Sequence, residues 1–354
     1  MLYLVLPYFD FTDSTFSKKN LDLFIANYGK RDNLKLIICE GIYNPKTALP
    51  DYSDKVYKHL KFKLKNVLWV KENLINLAID DTPEAECIAW SDRDIMFLNP
   101  MWVEHTLAKL KTNDIVQPWA EVIHLNQHHE LELIKKETKQ NFYSFASRSI
   151  VARVKKKEHS CGASSGQIWA MTRDFYNRIG KINDIEIIGG ADSIIANYCV
   201  LQDDTYEKNL NTRETISCKN IWKKYKTLFH GCNSDYVPGT IVHFWHGQLE
   251  KRQYNSRHKV LTQQAYDPDV DIGYDENGVL YLTEQGQRLE EGIKEYFKSR
   301  EMSKTAESST NSIYSMSYTM SNCLVPKIDK VAFRRNNVEH NADDEDNSED
   351  NLDL

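Results

Sequence analysis

The sequence predicts an α/β fold with a mixed, mainly parallel central sheet flanked by helices, and two observations predict it. Apolar runs of strand length alternate with segments whose apolar residues recur at helical spacing, in the order β, α, β over the first hundred residues. Two such strands joined by a helix make a βαβ unit, and sheets built from these units bind ligands at the carboxyl ends of their strands. Residues 2–6 (LYLVL) read as a buried strand. A helix starts at Ser17, places Leu21, Phe24, Ile25 and Tyr28 on one face at i, i+3, i+4 and i+7, and ends at Gly29. Residues 34–39 (LKLIIC) form the second buried strand, which runs into Glu40-Gly41.

After a Pro-containing loop at 44–53, residues 59–65 alternate like a strand. Residues 67–77 carry apolar side chains at helical spacing, with Lys71, Glu72, Asn73 and Asn76 between them. In ECIAWSDRDIMFL (86–98) an apolar strand at 87–90 meets an acidic pair and resumes at 95–98. A helix near 100–110, a strand near 114–118, an irregular polar stretch to about 159 and a helix near 173–179 follow. There is no internal repeat, which excludes solenoids and propellers.

The chain has 354 residues, of which 41% are hydrophobic, enough for one large core or two smaller ones. Its net charge is −6, but eight acids and no Lys or Arg lie in 339–354, so the remainder stands at +2. That near-neutral body argues against nucleic-acid binding through a broad basic surface. Seven cysteines are scattered with no C-x-x-C pair, which speaks against a disulfide framework or zinc ribbon and for a reducing compartment. The opening MLYLVLPYFDF lacks a basic n-region and is broken by Pro7 and Asp10, and no later stretch reaches eighteen apolar residues. The expectation is a cytoplasmic protein without an integral membrane segment. Residues 1–300 are expected to form the folded domain, divided into halves at about 118. Residues 301–354, rich in Ser, Thr and Asn and then in acids, are expected to be a disordered tail, in which 323–333 is the stretch able to dock.

Three constellations carry chemistry. Asp92-Arg93-Asp94 sets two carboxylates at i and i+2 beyond an apolar strand, a half-site for Mg²⁺ or Mn²⁺, although a solvated surface turn has the same pattern. In IIGGADSIIA (187–196), Gly189-Gly190 permit a tight backbone and deliver Asp192 at the start of an apolar helix, where it is either a general base or a simple cap. In VHFWHG (242–247), His243 and His246 are three apart and cannot share a strand face, but a turn can aim either at a metal. Lys251, Arg252 and Arg257 nearby suit diphosphate oxygens; core histidines beside a solvated basic helix are the plainer alternative. His124 and His128 have a zinc-capable i, i+4 spacing without an H-E-x-x-H motif, and 148–157 holds five bases in ten residues; an exposed loop and a solvated face account for them.

Together these residues resemble a GT-A-type, nucleotide-sugar-dependent glycosyltransferase of the galactosyltransferase-like group, in which a D-x-D, a G-G-x-D and a late metal-binding histidine occur in that order. Here they are Asp92/Asp94, Asp192 and His243/His246. LPYFDF, Glu40, WVKENLIN (69–76) and SGQIWAMTR (165–173) add to the match, which covers about 1–300.

The resemblance implies that Pro7, Tyr8, Phe9 and Glu40 hold the nucleoside, with Lys71 and Asn76 beside the nucleotide. Asp94 is then a metal ligand, Asp92 a nucleotide or ribose contact, and His243 or His246 completes the metal site, with Arg252 facing the diphosphate. Asp192 takes the position of the base that removes the acceptor's hydroxyl proton in inverting members, and were it only to position the acceptor the reaction would be retaining; Trp169 stacks on the acceptor or donor sugar, and Gly190 faces the acceptor. The implied cofactor is Mn²⁺ or Mg²⁺, the donor a nucleotide-sugar, a UDP-sugar first of all, and the acceptor a glycan or other hydroxyl compound. One departure is Ala191, where the usual G-G-E-D has Glu.

Two other readings use the same residues. A haloacid-dehalogenase-type phosphatase also has a D-x-D after a buried strand, but near the start of its domain and followed by Gly-Thr or a similar pair, whereas ninety residues precede Asp92 and Ile95-Met96 follow. A protein that binds nucleotide-sugars without turning them over would fit the loss of an acid at Ala191.

Overall fold

The structure, a computed structural model, describes residues 1–12, 14–126, 143–154, 163–201, 215–246, 250–253 and 256–300. All of them fall within one compact unit. The expected tail at 301–354, His128 and the basic residues 155–157 lie outside the described residues.

The first strand, β1 (Leu2–Phe9), is buried on both faces: Tyr3 and Val5 join one hydrophobic cluster while Leu2, Leu4 and Leu6 join another. Helix α1 (Thr15–Tyr28) starts where the Ser14 hydroxyl accepts a hydrogen bond from the Ser17 amide. Its buried face holds Leu21, Phe24, Ile25 and Tyr28, the four residues at helical spacing. Gly29 closes it with an ordinary right-handed backbone, and its reason is contact rather than torsion: a Cβ there would stand 2.5 Å from the Lys55 carbonyl oxygen.

Strands β2 (Leu34–Ile42) and β3 (Lys58–Lys63) extend the sheet in parallel on one side of β1. Helix α2 (Lys71–Asp80) then returns the chain to β4 (Cys87–Ser91), which pairs in parallel with the other side of β1. The strand order therefore reverses between β1 and β4, and a crevice at their carboxyl ends is the expected place for a ligand in such a sheet. Helix α2 begins four residues later than the spacing suggests, because the Trp69 amide is spent on the Ile187 carbonyl and holds that stretch extended.

Beyond β4 come β5 (Ile95–Phe97), α3 (Trp102–Lys109) and β6 (Ile115–Gln117). The stretch expected to be irregular contains further structure: β7 (Glu121–His124), β8 (Tyr143–Ser144) and helix α4 (Phe145–Val154). After β9 (Ala163–Ser164), strand β10 (Ile168–Thr172) inserts antiparallel between β4 and β6. Helix α5 (Arg173–Ile179) has the predicted bounds, with Thr172 capping its start and Gly180, at φ +74°, its end. Helix α6 (Ala191–Ala196) and α7 (Ile216–Phe229) lead to β11 (Ser234–Tyr236) and β12 (Thr240–His243).

The main sheet thus has seven strands in the order β11-β6-β10-β4-β1-β2-β3, parallel except around β10, the mixed, mainly parallel and helix-flanked sheet expected. A second sheet, β5-β12-β7-β8-β9, sets β12 antiparallel to β5 and parallel to β7. A hairpin of β13 (Ile272–Tyr274) and β14 (Leu280–Leu282) is tied to the body by Asn73, whose oxygen accepts from the Leu280 amide at 3.1 Å, and by Asn66, which accepts from the Leu282 amide at 2.9 Å. Among the described residues no helix is long and apolar enough to cross a membrane.

Candidate active site

β4 ends at Ser91, and the two acids beyond it turn to different partners. Pairing of β5 with β12 sets Ile95 opposite His243, and the Phe244 amide donates to the Asp94 carbonyl at 2.7 Å. This brings the Asp94 side chain to both histidines: its Oδ2 is 2.9 Å from His246 Nδ1, and its Oδ1 is 3.8 Å from His243 Nε2. One ligand atom from each of Asp94, His243 and His246 can be chosen so that all lie within 4.8 Å of one another. β12 ends at His243, so His246 lies beyond the strand and is free of its alternation, and both histidines reach Asp94.

The donor set fits a divalent cation. Asp94 is only 6% exposed, and its Oδ1 is buried and accepts no hydrogen bond among the described residues, a costly state for a carboxylate unless something cationic meets it. Burial pushes Asp94 up, but His246, His243 and Arg93 outweigh it and hold the carboxyl far below its usual range. Burial pushes both imidazoles down, with Arg252 adding to the effect at His246 and Asp94 pulling the other way at both. The Arg252 guanidinium lies directly against His246.

Asp92 belongs to a second cluster. Lys71, at the first turn of α2 and almost fully buried, sets its Nζ 2.9 Å from Asp92 Oδ1 and 3.2 Å from Asp192 Oδ2. Burial pulls the Lys71 ammonium down, but Asp192 and Asp92 overcome it and keep it protonated. The Asp192 carboxyl is pushed above its ordinary range by burial and by Asp92, with Lys71 pulling against them. Glu72 next along the helix is buried too, and burial with the nearby Asp192 raises its pKa to about 8. Its Oε2 accepts from Trp69 Nε1 at 3.1 Å.

The backbone explains why Asp192 sits there. Gly189 has φ +81° and Gly190 φ +136°, both in the region that favours glycine. A Cβ on Gly189 would meet the Trp69 ring at 2.9 Å, and one on Gly190 would lie 3.1 Å from His258. Gly190 is thus the close-packed neighbour of Asp192, at the N-terminus of α6. Ala191 is 1% exposed within the hydrophobic cluster, so this site holds no second carboxylate at that position.

Other expected contacts are buried. β1 runs on through Phe9, so Pro7 and Tyr8 lie inside a strand rather than in a loop, with Arg93 over the Tyr8 ring at 5.0 Å. Pro7 is tolerated because β4 pairs with β1 only as far as Val5, leaving one side without a ladder partner that needs its amide. Both Glu40 oxygens are engaged, one by the Leu49 amide at 2.6 Å and the other by His59 Nε2 at 3.0 Å, and the residue is 1% exposed. Asn76 faces the interior, donating to the Ile182 carbonyl at 2.6 Å and accepting from its amide at 3.0 Å. Trp169 is 1% exposed and donates to the Ser165 carbonyl, so it offers no face to an acceptor. The half-buried aromatic packed against Gly189, three residues before Asp192, is Trp69.

No protein-family model and no curated protein sequence matches the chain. Among solved structures it is similar to S. aureus TarS 1–349, at 12% identity over 55% of this chain and 53% of that one, with a TM-score of 0.36. It is also similar to glucosyl-3-phosphoglycerate synthase from Mycobacterium tuberculosis, solved with Mn²⁺, uridine diphosphate and glucosyl-3-phosphoglycerate, at 11% identity over 80% and 86% of the two chains, with a TM-score of 0.38. The chain spans about half the length of the TarS fragment. At this degree of overlap the chain's own residues carry the functional reading.

Proposed function

We propose that the chain is a metal-dependent glycosyltransferase that moves a sugar, a hexose in the first instance, from a nucleotide-sugar, a UDP-sugar above all, to a hydroxyl acceptor such as a glycan. The observation that carries the reading is the pairing of two clusters at one strand end: a buried carboxylate with two imidazoles, and two residues away a carboxylate tied through Lys71 to Asp192. Asp94, His243 and His246 hold the cation, Mn²⁺ or Mg²⁺, which when bound neutralises charge on the leaving diphosphate. Asp92 and Lys71 orient the nucleotide-sugar, and Arg252 beside His246 adds positive charge for the diphosphate.

Asp192 is the general base. Its raised pKa strengthens it as a proton acceptor, while the Lys71 ammonium keeps it ionised when the acceptor arrives. The acceptor hydroxyl gives its proton to Asp192 and attacks the anomeric carbon opposite the departing nucleotide, so the product has inverted configuration. Glu40, Asn76 and Trp169 act behind this site as structural supports, and Trp69 walls it.

The Asp192→Asn variant tests the assignment. It keeps the shape of the loop and loses the base, so transfer falls at least 100-fold while the affinity for the donor changes less than threefold. A fully active variant would refute the role of Asp192.

A further inference from the structure

We propose that His124 is a positioning residue for the metal site, fixing the ring tautomer of His243; the inference rests on the metal reading above. Strands β7 and β12 run in parallel with His124 opposite His243. Their Nδ1 atoms are 3.2 Å apart and their rings meet edge to face, 5.0 Å between centroids at 72°. Two imidazole nitrogens in such a contact share one hydrogen: one must donate and the other accept.

The metal reading decides the direction. His243 Nε2 points toward Asp94 Oδ1 across 3.8 Å, too long for a hydrogen bond, and it can offer a lone pair to a cation there only if the ring hydrogen is on Nδ1. His243 Nδ1 therefore donates to His124 Nδ1, and His124 carries its own hydrogen on Nε2. Without His124, the His243 hydrogen is free to move to Nε2, where it takes up the lone pair that a cation beside Asp94 needs. The backbone of β12 is held by β5 and β7 in either case, so the effect of His124 is on the ring and not on the strand. The sequence alone assigns His124 to an exposed loop; the structure places it on β7 against His243.

Titration of MnCl₂ into the metal-free full chain by calorimetry tests this with four proteins: wild type, Asp94→Ala, His124→Phe and His124→Asn. Saturable binding is expected in the wild type and its loss in Asp94→Ala. His124→Phe should weaken binding about 10- to 100-fold, the usual consequence of losing an outer hydrogen bond to a ligand histidine. His124→Asn, whose oxygen can stand near the lost Nδ1 and accept the same hydrogen, should recover most of it. Long-range ¹H–¹⁵N spectra should find His243 of the wild type with its hydrogen on Nδ1 and a mixture of tautomers in His124→Phe. Undiminished binding by a folded His124→Phe, with Asp94→Ala inactive in binding, overturns the role of His124 and spares the metal site. Equal binding by wild type and Asp94→Ala, or none by either, overturns both. If His124→Phe does not fold, an Nε2–H tautomer at His243 in the wild type still refutes the proposal.

Discussion

Replacing Lys71 by Met removes a buried cation bonded to both Asp92 and Asp192 and leaves two carboxylates sharing its place. At an effective dielectric of about 20, unit charges about 3 Å apart interact by roughly 5 kcal/mol before solvation is counted. Asp92 and Asp192 keep 36% and 24% of their side-chain exposure, so water recovers much of that, and a net effect of about 1–2 pKa units on Asp192 remains. The sign follows from the charges. Lys71 favours the ionised base, so without it the base holds its proton to higher pH. The acidic limb of kcat/KM against pH, followed as nucleoside diphosphate released in the presence of acceptor, should move up by about 1–2 pH units. Activity lost at pH 6 should partly return at pH 8. A limb that stays where it is in the wild type would refute the ion-paired base.

Glu72 gives a pH dependence of stability. Its folded pKa of about 8 lies above the ordinary value of 4.5, so the folded state holds an extra proton between those limits and stability falls as pH rises through them, by up to about 1.4 kcal/mol per pH unit. Urea denaturation of Glu72→Gln at pH 5, 6.5 and 8 should remove that slope, and an unchanged slope would place the proton elsewhere. Asn76→Ala should cost about 2–3 kcal/mol in the same assay, since two bonds to the Ile182 backbone are lost in the interior, while donor affinity measured by calorimetry stays within threefold. Gly189→Ala forces a Cβ against the Trp69 ring in a backbone region unsuited to alanine, and should lower thermal stability and reduce transfer at least tenfold, whereas Gly231→Ala, with open space around its Cβ, should carry only the torsional cost.

The parts of this account that were legible in the sequence are those set by local physics. The bounds of α5 are readable because Thr172 and Gly180 cap it, and β1, α1 and β2 because their apolar periodicities are unbroken. The three chemical constellations were visible as unusual residues at strand and helix ends. What joins them was not, because it depends on pairing across long separations: β5 with β12 brings Asp94 to His243 and His246, and Lys71 reaches Asp192 across 121 residues. The same gap hides the interior partners of other polar residues. Glu40 and Asn76 look like polar ligands in a list of residues, but His59, Leu49 and Ile182 satisfy them in the interior. The hairpin β13–β14 left a readable signal, Asn277-Gly278 between two short apolar runs, with Gly278 at φ +76°.

The central claim is that Asp94 and its two histidines make this chain a metal-dependent user of nucleotide-sugars. A panel of UDP- and GDP-sugars, incubated with Mn²⁺ and candidate hydroxyl acceptors and followed by released nucleoside diphosphate, tests it most directly when wild type and Asp94→Ala are compared. The account predicts release with at least one donor, suppressed by chelation and lost in Asp94→Ala. Release that is indifferent to chelator and to the substitution would contradict it.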